Sequence, residues 1–147
     1  MKTDNMESKV KVLILITGSI AAVRIPLLVS QLVKENFEIK CVISENAEKL
    51  IQPLSLSVLS RNSCILENDQ WSHYQSTPLH IDLCKWADIL LIAPLTATTL
   101  SKWVNGNADG LIPSILIANC KPIIVAPAMN TKTVSYTHLT LPTICSV

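Results

Sequence analysis

The run Val10-Lys11-Val12-Leu13-Ile14-Leu15-Ile16-Thr17-Gly18-Ser19-Ile20-Ala21-Ala22 starts as an apolar segment broken only by Lys11, and it ends in a glycine followed by a hydroxyl. A continuous apolar run rich in branched residues is the mark of a strand buried on both faces, as in a parallel sheet. Gly18 permits a sharp turn, and Ser19 with its neighbours can start a helix. Working outward, Ile25, Leu28, Val29, Leu32 and Val33 recur at helical spacing, with Pro26 in the first turns where proline is tolerated. Phe37 to Ile43 reads as a second strand. Together these make a βαβ unit with a right-handed crossover.

The same alternation continues. Ser44-Glu45-Asn46-Ala47 caps a short helix through Leu50 or Ile51; Pro53 interrupts it, and Leu54 to Leu59 resumes a helix. Arg61 to Ser76 is polar and reads as an irregular loop, with a short strand near Cys64 to Glu67. Pro78 to Trp86 is a helical turn leading into the apolar strand Ile89 to Ala93, which stops at Pro94. Thr96 to Thr99 open another helix whose apolar face is Leu100, Trp103 and Val104. Asn105-Gly106-Asn107-Ala108-Asp109-Gly110 is a breaker cluster. Leu111 to Ala118 is a further apolar helix, and Lys121 to Ala126 the last buried strand. Strand and helix in repeated alternation predict an α/β domain with a doubly wound parallel sheet.

Composition agrees. A chain of 147 residues fits one domain and buries roughly 68–70% of its unfolded surface without a disulfide or metal staple. Apolar residues make up 49% and charged residues 16%, which suits a core-rich aliphatic sheet. The net charge is +1 with no basic cluster, so neither nucleic acid nor an anionic membrane surface is an expected partner. Val10 to Ile16 is too short to span a bilayer. The five cysteines are dispersed without a CxxC pair or a leading secretory signal, the pattern of reduced thiols in a cytoplasmic protein. His73, His80 and His138 lack ligand-like spacing with the cysteines, so no metal site is expected. Residues 1–9 are polar and read as a disordered N-terminus.

Three strand ends carry small hydrogen-bonding residues at helix starts: Gly18-Ser19, Ser44, and Thr96 to Thr99. A phosphorylated cofactor needs such groups, because N–H and hydroxyl donors satisfy phosphate oxygens without a mobile cation. Plain N-caps remain the rival reading. The pattern is not GxGxxG, and no phosphate-loop Lys-Ser/Thr is present. His80 is flanked by a regular apolar-polar pattern, and a histidine beside a cofactor is suited to proton transfer near neutrality. On spacing alone an ordinary histidine at a helix start is the better account. Ile123-Ile124-Val125-Ala126-Pro127-Ala128-Met129-Asn130 ends an apolar run in a polar amide. Ligands of open α/β sheets sit at such carboxyl ends, which hangs Asn130 over a site; taken alone, the stretch is equally an ordinary strand-to-loop junction.

The ordered set of motifs resembles the family of FMN-containing cysteine decarboxylases, most closely its branch acting on 4′-phosphopantothenoylcysteine in coenzyme A synthesis. The resemblance rests on Thr17 to Ala22, Leu79-His80-Ile81-Asp82-Leu83 with Trp86-Ala87-Asp88, Ile92 to Lys102, Gly106 to Asp109, and Pro127-Ala128-Met129-Asn130. It implies a Rossmann-like (flavodoxin-like) three-layer flavoprotein domain over residues 10–132. It implies FMN as cofactor, with Gly18, Ser19 and Ile20 by the flavin or its phosphate and Ser44 at the ribityl-phosphate region. Thr96, Ala97, Thr98 and Thr99 would line the cofactor site, with Ala128 close to the ring. His80 would be the active-site base, and Asn130 would hold the substrate. The implied chemistry oxidises the thiol carbon so that the resulting thiocarbonyl accepts the electrons released on decarboxylation. A homo-oligomer, a trimer or higher, is the family norm. Within the same fold the alternatives are a peptidyl-cysteine decarboxylase, a flavin prenyltransferase and a non-catalytic FMN-binding regulatory subunit. His80 and Asn130 argue against the prenyltransferase, and the lack of an acidic extension argues against the regulatory subunit.

The resemblance stops soon after Asn130. The family's Met-Trp pair and its cysteine in a Gly-Asp setting have no counterpart in residues 133–147, so Cys145 is given no role. The expectation is a domain incomplete at its C-terminus, followed by a non-family tail that is non-native in origin, with impaired catalysis. A divergent edge strand, Val134 to Leu141, is the rival reading of the tail.

Overall fold

Buried along its whole apolar length, Lys11–Ile16 forms β1 at the centre of the sheet. The computed structural model describes residues 7–72 and 76–128; Asn130, the Val134 to Leu141 stretch and the 133–147 tail lie outside them. The other strands are β2 (Glu38–Ile43), β3 (Ile65–Leu66), β4 (Ile89–Leu95) and β5 (Ile123–Pro127). Among the described residues the sheet order is β3-β2-β1-β4-β5, with every pairing parallel. The order reverses direction between β1 and β4, which creates a crevice at the carboxyl edge.

The helices are α1 (Ile25–Lys34), α2 (Glu45–Glu48), α3 (Pro53–Ser60), α4 (Leu79–Trp86), α5 (Ala97–Val104) and α6 (Leu111–Ala118). Side chains alternate across a strand, and the core divides accordingly. Val12, Ile14 and Ile16 pack with Ile25, Val29 and Leu56 of α1 and α3. Leu13 and Leu15 pack with Leu83, Leu100, Trp103, Ile112 and Ile115 of α4, α5 and α6. Three layers result, helix–sheet–helix, as the α/β reading requires.

Several boundaries depart from the sequence reading. Ser19 does not open the α-helix; a 3-10 turn, Ile20–Arg24, precedes α1. Pro94 does not stop β4, which runs on to Leu95 through a cis Ala93–Pro94 bond. Proline cannot donate to the ladder, and the β4–β5 register shifts between Ile92 and Leu95. β5 begins at Ile123 rather than Lys121 and is not a buried strand: Ile124 is 55% exposed. It lies at the sheet edge, where a helix layer does not cover both faces. Val104 is exposed rather than part of the buried face of α5, because Leu100 and Trp103 take that face.

Candidate functional site

The loops that leave the carboxyl ends of β1, β2 and β4 converge on one cavity of about 450 Å³, within the usual size range of small-molecule pockets. Thr17 ties the crevice together. It is 1% exposed, its hydroxyl donates to the Pro94 carbonyl, and the same oxygen accepts the Thr96 N–H at 3.0 Å. A buried hydroxyl with both partners fixes the ends of β1 and β4 at one spacing. The Ser44 N–H donates to the Ile16 carbonyl at 3.0 Å and adds the end of β2 to the same edge.

The helix starts are capped as hydroxyl residues at these positions predict. The Ser44 hydroxyl accepts the Ala47 N–H at 3.2 Å and opens α2. Thr96 caps α5: its Oγ1 accepts the Thr99 N–H at 3.4 Å and pairs with Thr99 Oγ1 at 3.1 Å. Ser19 caps the 3-10 turn through the Ala21 N–H at 3.4 Å. Capping and cavity lining coexist at Ser44 and Thr96, since both line the cavity as well.

The cavity gathers Gly18, Ser44, Thr96, Thr98 and Thr99 from the sequence candidates. Ser19, Ile20, Ala97, His80 and Ala128 are not among its lining residues. Ile20 is largely exposed, and the Ala128 N–H donates to the Leu95 carbonyl at 3.0 Å, which seats it beside the end of β4. His80 lies in the first turn of α4, half-buried, and its Nδ1 is buried with no hydrogen-bond partner among the described residues. A buried polar atom without a partner carries a desolvation penalty, which is uncommon outside functional sites. Asn130 lies outside the described residues.

Charged side chains also line the cavity: Glu45, Glu67, Lys102 and Asp109, of which Lys102 and Asp109 fall within the stretches that carry the family resemblance. Glu67 Oε1 accepts the Leu111 N–H at 3.0 Å at the start of α6. Gly110 makes room for it, since a Cβ at that position would collide with Glu67 Oε1, and its φ of +110° is one that glycine tolerates. Burial raises the Glu67 carboxyl above the usual carboxylate range, outweighing the hydrogen bonds from the Leu111 and Glu45 backbones. Nothing local in the sequence pointed these four side chains at a shared cavity. Their meeting depends on the strand order, which brings the β3 end (Glu67) against the start of α6. Among the described residues no group of three or more His, Cys, Asp or Glu side chains is placed to hold a metal ion.

A family model described as Flavoprotein matches residues 1–140, and the chain belongs to the flavoprotein family. The phosphopantothenoylcysteine decarboxylase of Mus musculus is 39% identical over 128 residues, 85% of this chain and 62% of that protein. The chain therefore spans under two thirds of that relative's length. A mutant of PPC decarboxylase complexed with pantothenoylaminoethenethiol aligns at a TM-score of 0.72 and 36% identity, over 84% of this chain and 69% of its own. The FMN binding protein AtHal3 aligns at 0.75 and 35% identity, over 87% and 70% respectively. The doubly wound fold is thus the one these proteins share.

Proposed function

We propose that this chain is an FMN-dependent carboxy-lyase that converts 4′-phosphopantothenoylcysteine to 4′-phosphopantetheine in coenzyme A biosynthesis. The observation that carries the reading is the convergence of Thr17, Gly18, Ser44, Thr96, Thr98 and Thr99 on one cavity at the sheet's switch point, in a member of the flavoprotein family. That donor set fits a phosphorylated flavin: hydroxyls and free N–H groups at the start of α5 satisfy phosphate oxygens. A bound flavin would supply the two-electron sink that a simple cysteine carboxylate lacks.

The chain's own residues orient ligands and handle protons. Gly18, Ser44, Thr96, Thr98 and Thr99 hold the cofactor, with Ser19, Ile20, Ala97 and Ala128 around it. His80 is the base, and its partnerless buried Nδ1 is a group that a bound substrate or a water would satisfy. Asn130 contacts the substrate carboxylate or the adjacent amide. Two further features belong to this reading. A cytoplasmic location fits Cys41, Cys64 and Cys84 as free thiols. A homo-oligomer fits the exposed apolar side chains Ile20, Val23 and Leu27 on one segment and Leu54 and Val58 on α3.

Titration with FMN tests the cofactor, and incubation with 4′-phosphopantothenoylcysteine followed by mass spectrometry tests the reaction. Loss of carbon dioxide is expected. His80→Asn should retain flavin and lose turnover by about a hundredfold or more; equal turnover by both proteins would remove His80 from the mechanism. A protein that takes up no flavin would remove the cofactor claim.

A further inference from the structure

Lys102 is the one cationic side chain among the described lining residues of the cavity, where Glu45, Glu67 and Asp109 contribute three carboxylates. A cavity so balanced repels a dianion unless that cation is turned to it. Lys102 stands three residues after Thr99 and four after Thr98 on α5, so the three share one helix face. All three line the cavity, while Leu100 and Trp103 of the same helix are buried in the core. α5 thus presents two hydroxyls and an ammonium in a row. In this structure Lys102 Nζ lies 3.6 Å from Asp109 Oδ2 and 3.4 Å from the Asp109 carbonyl oxygen, with side-chain exposures of 33% and 80%. A pair that long and that wet is weak, so its cation can be exchanged to a better anion at little cost.

We propose that Lys102 is the specificity-determining cation of this cavity: it leaves Asp109 to pair with a phosphate monoester dianion that the Thr98 and Thr99 hydroxyls also hold. The proposal rests on the reading that the cavity takes a phosphorylated ligand. Asp109 is then the competitor that keeps the cation in place when no phosphate is bound, and it opposes binding. The monoester has two sources, the flavin mononucleotide or the phosphorylated substrate.

The two sources separate in paired titrations. Flavin fluorescence quenching compares FMN with riboflavin, which lacks the phosphate; turnover compares 4′-phosphopantothenoylcysteine with pantothenoylcysteine. If the flavin phosphate is the partner, Lys102→Gln weakens FMN by about tenfold or more and leaves riboflavin unchanged. If the substrate phosphate is the partner, both flavins bind as before. The KM for the phosphorylated substrate then rises about tenfold or more at constant kcat, and the unphosphorylated one is unaffected. Asp109→Asn should act with the opposite sign, tightening the same ligand at low ionic strength, which a merely structural role for the ion pair would not produce. Equal effects on both members of both pairs, or none on any, would overturn the proposal. A wild-type protein that binds no flavin and turns over no substrate would sink the functional reading instead. Inorganic phosphate then tests Lys102 alone: a thermal midpoint raised by phosphate in the wild type but not in Lys102→Gln supports it, and equal shifts reject it.

Discussion

At Gly18 a single hydrogen atom separates a working edge from a clash. An added Cβ would collide with the Asn46 Cβ, so the turn after β1 and the start of α2 touch through the bare glycine backbone. Sequence reading assigned this glycine to a sharp turn, yet the glycines with positive φ are Gly106 and Gly110. The requirement at Gly18 is close approach rather than an unusual dihedral. Gly18→Ala should therefore cost about 1–3 kcal/mol as an overpacking substitution, read as a lower midpoint in urea. It should also weaken flavin binding, because the displaced loops line the cavity. Wild-type stability in this variant would show that Asn46 moves aside freely. His80 belongs to the same scale: the residue was visible in the sequence, but the orphaned state of its Nδ1 is a property of the packed α4.

Between elements, Thr17 holds β1 to β4 across the point where the sheet changes direction. Its hydroxyl serves the Pro94 carbonyl and the Thr96 N–H at once. Thr17→Val keeps the shape but removes the acceptor of the Thr96 N–H and leaves the Pro94 carbonyl with only the Thr17 backbone N–H at 3.4 Å. The expected cost is about 1–3 kcal/mol, by urea denaturation, with a loss of flavin affinity larger than that of a core variant of equal stability such as Ile14→Val. Equal flavin binding in the two variants would reduce Thr17 to a structural bolt. The strands were legible at this scale because buried parallel strands are continuous apolar runs. The prolines misled: Pro94 and Pro127 stand at the ends of β4 and β5, beside an irregular register, where a missing N–H is tolerated. Val104 misled for a different reason, since an eight-residue helix buries one narrow stripe and Leu100 with Trp103 fills it.

For the whole molecule, the layer between the sheet and α1 and α3 carries two thiols, Cys41 on β2 and Cys64 just before β3. Burial pushes the Cys64 thiol up to about 12, with Glu48 and Asp69 adding to the rise. Burial raises Cys41 as well. A thiol whose pKa is raised in the folded state holds its proton more tightly there than in the unfolded chain, where it titrates near 9.0. Its contribution to stability is complete below that value and is lost as pH climbs through the folded pKa. Under reducing conditions the urea midpoint should hold steady up to roughly pH 8.5 and fall from near pH 9.0 towards about 12. Cys64→Ala should flatten that fall. An identical decline in the variant would assign alkaline sensitivity to other groups.

The apolar runs Val10 to Ile16, Phe37 to Ile43 and Ile89 to Ala93, with their helical intervals, were enough by themselves to determine a doubly wound α/β domain. The reason is local: buried strands and amphipathic helices differ in hydrophobic period. The hydroxyl-rich helix starts were legible for the same cause, since a cap acts within three residues of itself. Only the tertiary structure decided which of those starts share a cavity, that Thr17 bridges the switch point, and that Glu67, Lys102 and Asp109 meet there. The Thr17–Thr96 hydrogen bond by itself joins residues 79 positions apart in the chain. Such encounters follow from strand order and crossover geometry, which no local period encodes.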